Sequence, residues 1–131
     1  MALEALWFVD DGRFSISDPS NWRWTVMIMQ PDAVTKQAFQ EARAQAQKKR
    51  PNPALERVRL EGFHEGLCVQ MMHIGPYSTE PETIERMVSF AQAAGHALRG
   101  QHHEIYLGDP RRAAPEKLKT VLRHPVDKAA K

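Results

Sequence analysis

The sequence has little cysteine and no long apolar run, and each of these absences excludes whole classes of protein. Cys68 is the single cysteine among 131 residues, so an internal disulfide is impossible and a reducing compartment is favoured. No apolar run approaches the ~20 residues that a membrane-spanning helix needs. Residues 1–13 also lack the basic, apolar and small-residue order of a secretory signal. We therefore expect a cytoplasmic protein with no membrane partner.

Basic stripes and metal-binding motifs are missing as well. The formal net charge is +2, and the basic residues are scattered apart from small clusters at 48–50 and 111–112. A nucleic-acid-binding domain usually shows a basic stripe or a recognisable reading helix, so nucleic acid is not an expected partner. The six histidines form no HExxH pattern, and GxSxG, P-loop and GxGxxG motifs are absent. Neither a metal nor a cofactor is expected.

The patterns that are present predict an α+β domain. Strand-forming composition or alternating polarity predicts strands at 3–9, 22–29, 58–63, 67–74, 102–108 and 120–126. Pro31 favours a helix that runs to about Lys49, and Thr79 with Glu82 is typical of a capping box that opens a second, amphipathic helix. Both faces of 67–74 are apolar, which favours a central strand. The order of elements indicates an antiparallel sheet with helices on one face, which leaves the other face for a ligand or a partner.

A carboxylate beside an aromatic ring is the strongest sign of a site. Glu104 and Tyr106 lie two places apart in the predicted strand 102–108, so their side chains share a face. A partly desolvated carboxylate attracts a cationic or hydrogen-bond-donating ligand and can also perform acid/base chemistry. An ion pair with Arg111 or Arg123 explains Glu104 equally well. The spacing alone leaves these interpretations open.

Aromatic residues before and after the first predicted helix are further candidates. Trp22 and Trp24 alternate onto one face of a strand, where two indoles could form a wall for flat or cationic ligands or could cover the core. Tyr77 follows a Gly-Pro exit from a strand, where its phenol could bind a ligand or cap the sheet. Cys68 lies in an apolar strand, so an inert thiol is a better interpretation than a nucleophile.

Three long segments together resemble a known family. They are WRWTVMIMQPDAVT at 22–35, FHEGLCVQMMHIGPYSTEPETIERM at 63–87 and HHEIYLGDPRRAAPEKLKTVLRHPV at 102–126. Nearly without gaps, they are similar to the stand-alone GyrI-like small-molecule-binding proteins, and the resemblance covers almost the whole chain. It implies two SHS2-type β-α-β-β modules side by side, with an aromatic-lined cleft around a central acidic residue, as in the ligand domains of multidrug-sensing transcription regulators.

The resemblance also implies roles for particular residues. Glu104 matches the central acidic position, with Tyr106 beside it. The implied ligands are apolar, aromatic or cationic small molecules, bound in protection against xenobiotics. The aromatic positions near the cleft are matched by Trp22, Trp24, Phe63 and Tyr77.

Two alternative functions follow from the same family. One branch is described as hydrolysing cyclopropane-containing DNA-alkylating natural products with an aromatic cage. If the chain belongs to that branch, Glu104 is the expected catalytic residue, because it would guide water toward an electrophile that the cage orients. The other alternative is a protein-interaction module that presents its sheet to a macromolecule, as the gyrase-inhibiting name of the family suggests.

The sequence departs from the family pattern at its beginning. Stand-alone members normally carry a further strand, helix and strand before the segment that 3–9 resembles. We therefore predict one domain over 1–131, in which 1–55 is the remnant of a truncated first module and 56–131 is the second module. Such a truncation leaves an open sheet edge and apolar area around Trp7 and Phe8, so we expect a homodimer that pairs through 3–9.

Overall fold

The computed structural model describes residues 1–10, 14–15 and 18–130. These residues form an antiparallel sheet of six strands together with two α-helices, which confirms the predicted α+β class. The predicted loop at 10–21 lies partly outside the described residues. The elements are β1 (Leu3–Phe8), β2 (Arg23–Ile28), α1 (Lys36–Lys49), β3 (Cys68–Ile74), α2 (Glu80–Ala93), β4 (His96–Leu98), β5 (His102–Tyr106) and β6 (Lys119–Lys128).

The chain divides into two compact units, and each is described by itself. The first unit comprises Met1–Ile28 and Glu65–Lys131 and contains the sheet and α2, whereas the second, Met29–His64, contains α1. No helix in the described ranges is long and apolar enough to cross a membrane. The predicted division into modules at residue 55 stays a prediction.

The sheet is organised around β6, its longest strand. The strand order is β2-β1-β5-β6-β3, and β4 also pairs with β6. Ten residues give β6 enough length to pair with three strands, because β4 meets only its last part, at Val126–Lys128. Leu122, in its middle, is 0% exposed, so burial of this one side chain contributes about 1.5 to 3 kcal/mol.

Helix α2 packs on the sheet through a narrow apolar stripe. Met87 and Ala91 are four residues apart and therefore lie on one side of the helix, where they contact Val69, Leu122 and Val126. Gly95 follows the helix with a φ of +76°, a left-handed conformation that glycine adopts without strain. This packing fixes the start of α2 above the sheet.

The first helix begins later than predicted, and the second begins after Thr79 as predicted but without the expected capping bond. The first begins at Lys36, because the Thr35 hydroxyl accepts a hydrogen bond from the Ala38 amide at 3.1 Å. Pro31 instead accepts a bond from the Val34 amide in a preceding turn. At the second helix Thr79 forms no capping bond, since its hydroxyl donates to the carbonyl of Pro76 at 2.9 Å.

Two strand predictions are wrong. Residues 58–63 form no strand, because a strand-forming composition gives a strand only where a partner strand is available. The segment at 67–74 is not central either: β3 lies at the end of the strand order and, among the described strands, pairs with β6 alone. The apolar second face that suggested a central strand includes Met72 and Ile74, which are 45% and 61% exposed.

The segment at 3–9 was expected to form an open edge of the sheet, but the edge is formed by the neighbouring strand. β1 pairs with β2 on one side and with β5 on the other, so its backbone is hydrogen-bonded along both edges. The edge strand on that side is β2. The short β4 was not predicted, because three residues are too few to show an alternating pattern.

Candidate functional site

The candidate site is a cleft on the face of the sheet that also carries α2. Glu104 on β5 is directly opposite Leu122 on β6, and paired residues share a face, so Glu104 points to the side on which α2 packs. The candidate cleft therefore lies on the face that carries α2, whereas the sequence left the other face for a ligand or a partner. Helix α2 covers the β3 and β6 side of this face, and the cleft opens beside it over β1 and β5.

The cleft is large and has four aromatic residues in its lining. Its volume is about 1230 Å³, above the several hundred cubic ångströms of many ligand pockets. The loop after β5, residues 107–111, forms one rim, and the first residues of α2 form another. The aromatic and acidic residues that line it are Trp7, Trp22, Tyr77, Tyr106, Glu80, Glu104 and Asp109.

Glu104 is a buried carboxylate with a donor on each oxygen. The side chain of His102 donates from Nε2 to Oε1 at 3.0 Å, and the phenol of Tyr106 donates to Oε2 at 2.7 Å. Burial by itself raises the pKa of Glu104, but the hydrogen bonds from His102 and Tyr106 outweigh burial and hold that pKa below its usual range. Glu104 is therefore ionised at neutral pH although only 5% of the residue is exposed.

A chain of hydrogen bonds continues from Glu104 to the aromatic wall. The indole of Trp7 donates from Nε1 to the Tyr106 oxygen at 3.1 Å, while the Tyr106 hydroxyl donates to Glu104. Burial, together with the hydrogen bond to Glu104, raises the pKa of Tyr106. The phenol thus keeps its proton and remains a donor, so the orientations of Trp7, Tyr106 and Glu104 depend on one another.

Glu80 brings a second carboxyl group to the same site. It is the first residue of α2 and is 3% exposed. Burial and then the charge of Glu104 raise the pKa of Glu80 to about 8, and the two side chains share a hydrogen bond. Two neighbouring carboxyls rarely ionise together, so at neutral pH the proton resides on Glu80 and the charge on Glu104.

The aromatic rings of the cleft contact one another in sequence. Trp7 and Trp22 meet edge to face, with ring centroids 5.4 Å apart. Trp22 donates from Nε1 to the backbone oxygen of Ser15 at 3.0 Å, which fixes the indole. On the other side, Tyr77 stands edge-on to Tyr106 at 6.0 Å. A flat ligand between these walls would meet aromatic surface on both sides.

The structure brings together four of the six predicted site residues. Trp22, Tyr77, Glu104 and Tyr106 all line the cleft. The ring centroids of Trp24 and Trp7 are 5.9 Å apart, but Trp24 is 60% exposed and does not line the cleft. Phe63 belongs to the other compact unit and is 55% exposed.

Trp7 and Glu80 line the cleft but were not predicted as site residues. The position of Trp7 follows from register, because β1 pairs with β5 and Trp7 is opposite His102. The position of Glu80 follows from the packing of α2 against the sheet. The only local sign of Glu80 was an acidic residue three places after Tyr77, and acidic residues are common in the first turn of any helix.

The arginines proposed as partners of Glu104 pair with other carboxylates. Arg111 pairs with Asp109 at 2.9 Å, and Arg123 pairs with Glu65 at 3.2 Å. Glu104 is satisfied by His102 and Tyr106 instead. Within the described ranges, no three His, Cys, Asp or Glu side chains are placed to hold a metal ion.

The opposite face of the sheet carries a separate ionic cluster. His103 lies between Glu4 at 2.8 Å and Glu65 at 2.9 Å. His102 and His103 therefore point to opposite sides of β5, since His102 bonds Glu104 in the cleft. The cluster joins β1, β5 and β6 on the face away from the cleft.

Comparison with known proteins agrees with this architecture. The family model of the GyrI-like small molecule binding domain matches residues 23–127. A crystal structure of an uncharacterized conserved protein from Listeria innocua is 45% identical with a TM-score of 0.88. Two crystal structures described as hydrolases from Listeria innocua are 42% and 44% identical, each with a TM-score of 0.81.

These solved structures are longer than the present chain. Each similarity covers 96% of this chain, but only 62% to 63% of the other chain. No curated protein is similar enough to add to these comparisons.

Proposed function

Because this chain belongs to the family of GyrI-like small molecule binding domains, we propose that its cleft binds flat, apolar cations in protection against xenobiotics. The observation that carries the proposal is the buried, ionised Glu104 between aromatic walls. Its charge is already desolvated and held by two donors, so a cation that enters the cleft meets a fixed negative group. The indoles and phenols add stacking and cation–π attraction.

Tryptophan fluorescence tests this proposal with a matched pair of variants. Proflavine is a planar cation at neutral pH, and phenazine is a neutral ring system of similar shape. We expect proflavine to quench the tryptophan emission and to bind more tightly than phenazine. Trp22→Ala is expected to weaken proflavine binding roughly tenfold, because it removes one aromatic wall. Trp24→Ala is the control, since Trp24 is a tryptophan two residues further along the chain that lies on β2, outside the cleft.

Equal losses in the Trp22 and Trp24 variants would contradict the cleft assignment. Circular dichroism of both variants shows whether the fold is intact, so that a loss of binding is not mistaken for unfolding. If neither probe binds the wild-type protein, small-molecule binding of this class is wrong, and the protein-interaction alternative is favoured.

Hydrolysis of a cyclopropane-containing electrophile is the second candidate, supported by the hydrolase descriptions of two similar structures. In this reaction Glu104 accepts a proton from water, and the water oxygen bonds to a ring carbon. The adjacent carbon–carbon bond breaks, its electron pair moves to the conjugated carbonyl oxygen, and that oxygen finally receives the proton. Burial first, followed by Glu80 and Glu104, raises the pKa of Tyr77, so its phenol stays a donor for this oxygen.

The lowered pKa of Glu104 ranks binding ahead of hydrolysis. A carboxylate held by two donors accepts a further proton reluctantly, which makes it a weak general base. The ionised form is well suited to holding a cation for the same reason. Chromatography of a cyclopropane-containing electrophile after incubation with the protein distinguishes the two, because turnover yields the ring-opened hydrate in excess over protein.

We further propose that two copies of the chain pair through β2. This edge strand presents Trp24 and Val26 on one face, and they are 60% and 55% exposed. Exposed apolar edge strands tend to add a partner strand. Light scattering at micromolar concentration is expected to give twice the monomer mass for the wild-type protein. Val26→Lys is expected to give the monomer mass, whereas Lys36→Ala, outside the sheet, is not; a monomeric wild type would contradict the proposal.

A further inference from the structure

Among the described residues, one buried side-chain polar atom has no hydrogen-bond partner, and it belongs to a residue of the cleft. It is Oε1 of Glu80, which is buried and unpaired within the described part of the chain. Glu80 lines the cleft and is 3% exposed, so solvent does not reach this oxygen freely. A buried acceptor without a donor destabilises a protein by about 1 to 3 kcal/mol, and such groups commonly have a functional explanation.

The other contacts of Glu80 indicate which kind of partner is missing. Its carboxyl group donates a proton toward Glu104 and accepts a bond from the hydroxyl of Thr120. Oε1 itself has no hydrogen-bond partner among the described residues, so it is the free acceptor oxygen of this carboxyl group. Such an atom accepts hydrogen bonds and offers none. Its natural partner is therefore an N–H or O–H group of a ligand.

The proton on Glu80 is held by its surroundings. Tyr77 from the preceding turn and Tyr106 from β5 face the two carboxyls with neutral phenols. Asp109 and Arg111 on the rim pair with each other. On β3, His73 is held by Thr83 and the carbonyl of Pro76. Burial is the largest cause of the raised pKa of Glu80, and the charge of Glu104 is the next. A cationic ligand that neutralises Glu104 removes the second cause and adds a positive charge beside Glu80, so it lowers the pKa of Glu80.

We propose that Glu80 is a second recognition group of the cleft, which selects cations that carry an N–H donor and releases its proton to solvent when such a cation binds. The inference rests on the proposed binding of cations at Glu104. It extends that function by separating ammonium and amidinium ligands from quaternary ammonium ligands. A quaternary cation satisfies the charge of Glu104 but leaves Oε1 of Glu80 without a donor.

The test uses two cations with the same ring and charge, naphthylmethylammonium and its N-trimethylated counterpart, in which methyl groups replace the N–H donors. We expect the wild-type protein to bind the ammonium ion roughly tenfold more tightly. Calorimetry in two buffers with different ionisation enthalpies is expected to show net proton release with the ammonium ion near pH 7. Both measurements use the full chain.

Three variants separate the selection of N–H donors from the release of a proton. Glu80→Met removes the acceptor, so the preference for the ammonium ion should disappear. Glu80→Gln keeps an acceptor oxygen without an ionisable proton, so the preference should remain and proton release should vanish. Glu82→Gln, on the exposed side of the same helical turn, should behave as the wild type.

Each other outcome overturns a defined claim. Equal affinity of the wild type for both cations, or binding without proton release, contradicts the role of Glu80 and leaves binding at Glu104 standing. Failure of both cations to bind contradicts the proposed function itself and the inference with it. An unchanged preference in a folded Glu80→Met variant shows that another group selects the ammonium ion.

Discussion

Replacing Glu104 by Gln is expected to lower the affinity for proflavine by about 1 to 3 kcal/mol, or roughly 5- to 150-fold. Gln has nearly the same shape as Glu and removes the charge that attracts the cation. His102 and Tyr106 both donate to Glu104, and an amide can accept from only one of them. Fluorescence titration measures the loss, and a parallel titration with neutral phenazine separates the effect of charge from the effect of shape.

The pH of this titration matters because the two carboxyls are coupled. The charge of Glu104 is one of the causes that raise the pKa of Glu80, so the Glu104→Gln variant lowers that pKa. Glu80 then ionises more easily and partly restores the negative charge of the cleft. The loss of affinity should therefore be largest near pH 5 and smaller near pH 8. Unchanged proflavine affinity at both pH values would contradict the role assigned to Glu104.

Replacing Glu80 by Gln is expected to change how protein stability depends on pH. The pKa of Glu80 is about 8 in the folded protein and 4.5 ordinarily. Between these values the folded state holds a proton that the unfolded chain has released. The contribution of Glu80 is therefore fully present below about pH 4.5 and is lost as the pH rises toward 8. The Gln variant lacks this loss, so relative to the wild type it should gain roughly 2 to 4 kcal/mol over this range.

Urea unfolding near pH 5 and pH 8 measures the effect. Burial, followed by the charge of His102, lowers the pKa of His124 to about 4, so His124 acts on stability in part of the same range. Its contribution cancels in the difference between the variant and the wild type. The lowered pKa of Glu104 changes protein stability only below this pH range. Parallel pH curves for Glu80→Gln and the wild type would show that Glu80 is ionised in the folded protein, and Glu82→Gln again serves as the control.

The two carboxyls show why a central acidic residue could be predicted and its partner could not. Glu104 and Tyr106 are two places apart in one strand, and the alternation of a strand puts them on one face without any tertiary information. Glu80 reaches Glu104 only because α2 packs on Val69, Leu122 and Val126. A local pattern cannot report a contact between residues 24 positions apart when that contact depends on how a helix rests on a sheet.

Strand prediction failed for a related reason. Residues 58–63 have a strand-forming composition, and β3 has two apolar faces, yet the first forms no strand and the second is at an edge. Strand stability comes from pairing and burial more than from the residues of the strand itself. The sequence contains the propensity, but the choice of partner involves distant parts of the chain.

The sequence by itself determined the α+β class, the α2 stripe, the strand that carries Glu104 and Tyr106, and the family. All of these depend on local periodicity or on long matching segments, which are present in the chain before it folds. The tertiary structure decided that the cleft opens beside α2, that Trp7 and not Trp24 lines it, and that Glu80 shares a proton with Glu104. These features depend on strand register and helix packing, because both bring together side chains whose separation in sequence carries no signal.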